Sequence, residues 1–223
     1  LRLINCITFC FGMLVMPASA HPHVWVDASA RVMFDDVGAI SAIRHSWRFD
    51  EAFSAYLMLG LDVDGDGIYS RQETAELAEL NVTSLQEYFY FTSIAGAQET
   101  DRLGDLYSLE FDAPRDYFLD FDGTHTTLHF TLPVQGGVRP GEHDFVVLDI
   151  FDPEYFVAFS LVETAPIELA SAPDGCSVTL DEPPELDTTY ANLLSLIPAD
   201  GFVPEELLAV TNELANRARI RCA

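Results

Sequence analysis

The chain has 223 residues, of which 36 are acidic and 11 basic, so its formal net charge at pH 7 is -25. A surface this acidic repels phosphate backbones and anionic lipids, so nucleic acid is not an expected partner, whereas cations are attracted. The length suits one sizeable core or two small ones.

The first twenty residues have the order of a secretory signal peptide. Arg2 is the one charged residue, an apolar run follows from about Leu3 to Met16, and the residues A-S-A precede His21. The run is shorter than the roughly 20 residues of a membrane span. We therefore predict a signal peptide over 1–20, export to the periplasm, and a mature chain without a membrane span that begins H-P-H. The alternative, a buried N-terminal helix, leaves A-S-A unexplained.

The sequence of the predicted mature chain indicates strands on both sides of a helical insert. Alternation indicates a strand over about 24–34, a turn at 35–38 and a returning strand. Asp50 can cap a helix that starts at residue 51, a second helix is expected from about residue 70, and a third covers 84–96. Five strand candidates follow, at 106–112, 116–123, 126–134, 144–152 and 155–162.

The C-terminal part changes character after the linker-like segment DEPPELD. Residues 188–197 and 204–218 have helical patterns, and the last residues, RIRC, predict a short strand. The predicted fold class is therefore α+β, with a mainly antiparallel β sheet or sandwich. We predict a β-rich domain over 21–170 with a helical insert at about 50–95, and a helical C-terminal segment over 171–223 packed on it.

Two of the four cysteines, Cys6 and Cys10, lie in the predicted signal peptide, which leaves Cys176 and Cys222. An even pair in an oxidising compartment predicts a disulfide. The alternative, two thiolate metal ligands, is less favoured because the pair lacks CxxC-type spacing.

The segment DVDGDGIYSRQE, residues 62–73, has the spacing of an EF-hand calcium loop. Carboxylates at alternate positions converge on one hard cation, and the twelfth residue offers two carboxylate oxygens. Tyr69 stands where a paired loop carries an aliphatic residue, so we predict a lone structural calcium site; the alternative is an acidic solvent loop. The predicted ligands are Asp62, Asp64, Asp66, the carbonyl of Ile68, Ser70 through water, and Glu73.

A second metal site is predicted at the mature N-terminus. A terminal His21 offers its amine and imidazole to one metal, and Pro22 has no N–H, which blocks the square-planar mode that needs a deprotonated backbone amide. His21 and His23 are therefore expected to act through their imidazoles, which suit zinc, copper, nickel and cobalt.

Strand geometry proposes further ligands. If the turn is a three-residue loop closed by Gly38, Asp27 lies opposite Trp47, and His45, Trp47 and Phe49 share the face of His23, Trp25 and Asp27. His125 and His129, four apart on a later strand, also share a face. The candidate transition-metal ligands are His21, His23, His45, His125 and His129, although each of the last three can also be an ordinary strand residue.

The chain resembles the bacterial domain-of-unknown-function family 1007. The resemblance is carried by three segments, which occur in the order HPHVWVDA, HSWRFDEAFS and DVDGDGIYSRQE. Its members are described as periplasmic components of an uncharacterised ABC-type transport system and tend to accompany nickel/cobalt-type permeases. The resemblance implies export and a link to divalent metals. It carries over no catalytic residues.

Two classes of function follow from these features. The first is a periplasmic metal-binding accessory protein that exchanges nickel, cobalt, zinc or copper with a membrane permease and contains structural calcium. The second is an enzyme, a copper oxidoreductase that uses His21 as a brace. A calcium-stabilised extracytoplasmic scaffold is a third possibility. Because the sequence has no GxSxG, no HExxH and no catalytic cysteine, binding is favoured over catalysis.

Overall fold

The computed structural model describes residues 22–103, 106–181, 183–198 and 201–222. The predicted signal peptide and His21 lie outside these residues. The described chain is α+β with mainly antiparallel sheets, which confirms the predicted fold class. Its strands are β1 (Val24–Phe34), β2 (Ile40–Phe49), β3 (Thr92–Ala97), β4 (Arg115–Phe121), β5 (Thr126–Val138), β6 (Phe145–Ile150), β7 (Val157–Leu161), β8 (Ile167–Ala170), β9 (Ser177–Asp181) and β10 (Asn216–Arg221). Its helices are α1 (Glu51–Leu57), α2 (Ala75–Ser84), α3 (Thr188–Ser195) and α4 (Glu205–Glu213), with 3-10 turns at Leu85–Phe91 and Pro140–Glu142.

The strands form two sheets that share one core. The first sheet has the order β4-β5-β2-β1-β7, and β8 continues beside β1 where β7 ends. The second has the order β3-β6-β10-β9. Trp47 and Phe130 of the first sheet and Leu148 and Ile150 of the second belong to the same cluster of buried side chains. Removal of this apolar surface from water is the main force that holds the sheets together.

The hairpin of β1 and β2 contains a bulge that shifts the strand pairing by one residue from the predicted register. Phe34 lies opposite Ile40 at the turn, and this register continued without change would place Asp27 opposite Trp47, as we predicted. However, Met33 lies opposite Ala42, so Ser41 is an extra residue in β2. A bulge shifts the pairing by one residue, and a one-residue shift exchanges the two faces of a strand.

The predicted face is therefore wrong for one strand of the hairpin. Trp47 lies opposite Ala28, and Asp27 lies opposite Arg48. His45, Trp47 and Phe49 are buried in the core, on the opposite side of the sheet from Trp25 and Asp27.

The helical insert is confirmed at its start but not at its end. The Asp50 carboxylate accepts the N–H of Phe53 at 3.0 Å, so Asp50 caps α1 as predicted. The third predicted helix, over 84–96, is wrong: a 3-10 turn ends in residues with positive φ, among them Phe89 at 50° and Tyr90 at 54°, and β3 follows. Positive φ cannot continue a right-handed helix, and the β-branched side chains of Thr92 and Ile94 suit a strand that pairs with β6.

Four of the five predicted strands after the insert are confirmed as β4 to β7. The first, over 106–112, forms an isolated bridge between Phe111 and Val134. The Leu109 N–H donates to a carbonyl of β3, whereas Glu110 accepts from Gln135 at the end of β5. Because this segment crosses from one sheet to the other, it cannot pair along either.

The C-terminal segment contains α3 and α4, as predicted, and also completes the second sheet. The helix predicted over 204–218 is too long, because α4 ends at Glu213 and residues 216–218 belong to β10. β10 extends the predicted last strand, and β9, which we did not predict, pairs with it. The predicted disulfide joins Cys176 to Cys222 just beyond the ends of these two strands. None of the described helices is long and apolar enough to cross a membrane.

We expect the disulfide to contribute up to about 4 kcal/mol to the free energy of unfolding, because it closes a loop across a sequence separation of 46 residues and so restricts the unfolded chain. Urea unfolding of the mature protein with and without reductant measures this difference. Thiol labelling of the unfolded, unreduced protein should find neither cysteine. The double substitution Cys176→Ser with Cys222→Ser should make the unfolding midpoint insensitive to reductant. Labelling of both cysteines would refute the pairing.

Candidate functional site

The acidic loop between α1 and α2 brings three carboxylates together. Oxygens of Asp62, Asp64 and Asp66 lie within 4.8 Å of one another, and no other His, Cys, Asp or Glu group of the described residues meets this criterion for a metal site. Asp62 Oδ1 is buried and accepts no hydrogen bond from the described residues. A buried carboxylate oxygen without a donor is costly unless a cation occupies the space beside it.

The loop backbone holds these carboxylates in place. The other oxygen of Asp62 accepts the N–H of Gly67 at 3.1 Å, and the Asp66 carboxylate accepts the N–H of Ile68 at 2.7 Å. Gly67 has a φ of 79°, which a residue with a side chain rarely adopts. The sharp turn predicted at this position is therefore present.

Glu73 closes the loop on its own backbone and stays outside the aspartate group. Its carboxylate accepts the N–H of Val63 at 2.9 Å and both the N–H and the hydroxyl of Ser70, at 2.9 and 2.8 Å. These hydrogen bonds, those from Ser70 above all, lower the pKa of Glu73 to about 2. Among the predicted ligands, the structure thus gathers the three aspartates, while Ser70 and Glu73 bind each other.

The loop is attached to the first sheet. The Tyr69 ring packs edge-on against Phe121 at 5.1 Å, and Arg71 forms a 3.7 Å ion pair with Asp120, both partners being on β4. Tyr69, the departure from the usual loop pattern, therefore anchors this loop to β4.

The described chain begins at Pro22, within the second predicted metal site. His23 precedes β1, its N–H donates to the Phe156 carbonyl at 2.8 Å, and its imidazole stacks on the Phe156 ring at 4.4 Å. His21 lies outside the described residues.

His45 lies inside the core and away from the other histidines. Its side chain is fully buried, stacks on Phe130 at 4.8 Å, and places Nε2 3.3 Å from the Thr92 hydroxyl. Since that hydroxyl donates to the Tyr90 carbonyl, it accepts from His45, which puts the imidazole proton on Nε2. Burial lowers the pKa of His45 to about 3.

His125 and His129 lie on the outer face of the first sheet and have other partners. His125 Nδ1 is 2.8 Å from Arg48 Nη2. His129 Nδ1 is 2.9 Å from the Ser46 hydroxyl, and its Nε2 is 3.4 Å from Asp120. Burial is the main cause that lowers the pKa of His129.

The structure therefore does not join the described histidines into one site. His45 is in the core, and His125 and His129 are on the outer face beside arginines. Within the described residues, His23 alone stays at the predicted N-terminal site.

Sequence reasoning missed a cavity of about 400 Å³ at one end of the sandwich. Its wall is largely apolar and includes several aromatic rings, and the buried Trp47 Nε1 in that wall has no hydrogen-bond acceptor among the described residues. Phe156, the stacking partner of His23, also lines it. No local pattern marks this cavity, because its lining residues lie between positions 24 and 202 of the chain.

The family described as "Protein of unknown function (DUF1007)" matches residues 6–222, and the chain belongs to this family. A protein of Haemophilus influenzae (strain ATCC 51907 / DSM 11121 / KW20 / Rd), described as an uncharacterised protein, is 21% identical over 173 residues. The similarity covers 78% of this chain and 76% of that relative. Neither description states an activity or a ligand.

The burial of His45 predicts a pH dependence of stability. Between the ordinary histidine pKa of 6.5 and the folded value of about 3, the unfolded chain binds a proton that the folded protein excludes. The free energy of unfolding should therefore be unaffected by His45 above pH 6.5 and should fall below it, by up to about 1.4 kcal/mol per pH unit.

Urea unfolding of the wild type and of His45→Phe, compared from pH 7.5 to pH 4, isolates this contribution. The wild type should lose more stability than the variant over this range, while His143→Phe serves as a control outside the core. Parallel pH profiles of the wild type and His45→Phe would contradict the assignment.

Proposed function

We propose that this DUF1007 family member is an exported, divalent-metal-binding accessory protein of a membrane metal transporter, with a structural calcium ion in the loop 62–73. The observation that carries the proposal is the cluster of three aspartates with the buried, unpartnered Asp62 Oδ1. Oxygen ligands of this kind suit a hard cation such as calcium.

The rest of the loop supports calcium as the occupant. The carboxylates repel each other when no cation is bound, and the peptide N–H groups of Gly67 and Ile68 already orient two of them. Calcium accepts six to eight oxygen ligands in flexible geometry, so water and backbone carbonyls can complete its coordination. We assign the ion a structural role, because the loop is anchored to β4 through Tyr69.

The transition metal is assigned to His21 and His23. The other described candidates lie elsewhere in the fold: His45 is in the core beside Thr92, His125 is beside Arg48, and His129 is beside Ser46 and Asp120. His21 and His23 lie together at the predicted mature terminus, where imidazole ligands would bind nickel, cobalt, zinc or copper.

Export and the transporter link rest on three further features. The disulfide is of the kind that persists in oxidising compartments, such as the periplasm. The order of residues 1–20 is that of a signal peptide. The net charge of -25 raises the local cation concentration, and the family resemblance suggests a metal permease as the partner.

Calcium should raise the thermal unfolding temperature of the wild type, and Asp62→Asn should abolish most of this rise. At a calcium concentration of 100 times Kd, mass action adds about 2.7 kcal/mol to the free energy of unfolding. In chelator the variant should unfold close to the wild type, because the asparagine oxygen can still accept the Gly67 N–H. Differential scanning calorimetry measures both conditions.

Asp36→Asn is the matched control, since Asp36 is an exposed aspartate in the turn between β1 and β2. It should retain the full response to calcium. Equal unfolding temperatures for the wild type with and without calcium would contradict the assignment of calcium to this loop.

His21→Ala and His23→Ala should each weaken binding of nickel, copper or zinc by roughly tenfold or more, because each removes one ligand. Titration calorimetry on the calcium-loaded mature protein gives the affinities. Binding should also weaken as the pH is lowered, since protons compete with the metal for imidazole nitrogens.

His125→Ala serves as the control, because its imidazole is beside Arg48, and it should bind metal as the wild type does. If the double variant His21→Ala with His23→Ala retains wild-type affinity, the terminal histidines are not the ligands.

A further inference from the structure

We infer that the outer face of the first sheet contains a binding site for a small carboxylate anion, centred on Arg44. It lies in a pocket of about 470 Å³ whose lining includes Ser29, Arg31, Arg44, Ser46 and His129. None of the residues that line it is His23 or belongs to the loop 62–73.

The register of the sheet puts two arginines in direct opposition. Arg31 of β1 is paired with Arg44 of β2, and Ser29 is paired with Ser46 in the adjacent row. Like charges directly opposite each other destabilise a pair of strands. This arrangement is costly unless anionic groups balance both guanidinium charges.

The two arginines differ in how their charge is balanced. Arg31 forms an ion pair with Glu168 at 2.8 Å. Arg44 is partly buried, yet among the described residues no carboxylate lies in ion-pair range of it and no hydrogen bond satisfies its guanidinium. Its guanidinium carbon lies 6.0 Å from the centroid of the Phe118 ring. Five N–H donors therefore remain available in a partly desolvated pocket.

The polar side chains of Ser46 and His129, which line the pocket, are fixed by their neighbours. His129 is fixed from three sides: its Nδ1 is 2.9 Å from the Ser46 hydroxyl, its Nε2 is 3.4 Å from Asp120, and its ring stacks on Phe118 at 4.6 Å. The Ser46 hydroxyl lies in the row next to Arg44. Because His129 Nε2 faces the Asp120 carboxylate, this hydroxyl donates to His129 Nδ1 and is not a donor for the anion. The guanidinium fork of Arg44 by itself matches the two oxygens of a carboxylate.

The surroundings favour a single negative charge. Glu168 and Asp120 flank the pocket through their contacts with Arg31 and His129. These carboxylates repel a phosphate dianion more strongly than a carboxylate monoanion. The ligand class is therefore a small monocarboxylate, for which acetate is the simplest probe.

The test is a titration of the calcium-loaded mature protein with sodium acetate at pH 7.5 and constant ionic strength, followed by NMR amide shifts in β1 and β2. The wild type should show saturable shifts around Arg44, and Arg44→Gln should weaken binding by roughly tenfold or more, because a hydrogen bond to a charged group is lost. Arg139→Gln, which makes the same charge change at an exposed ion pair on the protein surface, should bind acetate as the wild type does.

A second measurement separates loss of binding from loss of folding. In acetate-free buffer, Arg44→Gln should unfold at a temperature no lower than the wild type, because it removes a like-charge pair. Three results would overturn the inference: no saturable acetate shifts in the wild type, equal acetate affinity in the wild type and Arg44→Gln, or saturable binding of inorganic phosphate in a parallel titration without binding of acetate.

Discussion

The extra residue Ser41 in β2 is the constraint on which the arrangement of both faces of the first sheet depends. Between the turn and the bulge, β1 and β2 pair in one register, and beyond it they pair in another. Because side chains alternate between the two faces of a strand, this single residue determines which side chains of β2 point into the core. Its hydroxyl donates to the Met33 carbonyl at 3.3 Å, which holds the bulge against β1.

The core and the outer face are both consequences of this shift. Inside, His45 and Trp47 join Phe130 in an aromatic cluster, and the cost of burying an imidazole is limited by keeping it neutral. Outside, the alternate residues Arg44, Ser46 and Arg48 form a cationic strip on a strongly acidic protein. The same pleat therefore places a histidine in the core, away from the other described histidines, and an arginine where it lacks an acidic partner among the described residues.

Asp120 on β4 connects the two polar regions of the molecule. It pairs with Arg71, which follows directly after Ser70 in the acidic loop, and its other oxygen lies 3.4 Å from His129 on the outer face. The proposed calcium loop and the pocket at Arg44 thus share a contact through one carboxylate. Exposed ion pairs are weak individually, so the rigidity of this connection comes mainly from Tyr69 against Phe121 and from Phe118 against His129.

Features that depend on neighbouring residues were determined by the sequence alone: the Asp50 cap, the strands from β4 to β7, the turn at Gly67 and the approach of the three aspartates. The disulfide was also predictable, because only two cysteines lie outside the predicted signal peptide. Only the tertiary structure decided the burial of His45, the separation of the histidines and the opposition of Arg31 and Arg44. The physical reason is that alternation shows that β2 has two faces but does not identify the inner one. That choice follows from a bulge of one residue, and the position of the bulge is fixed only when β1, β2 and the second sheet pack together.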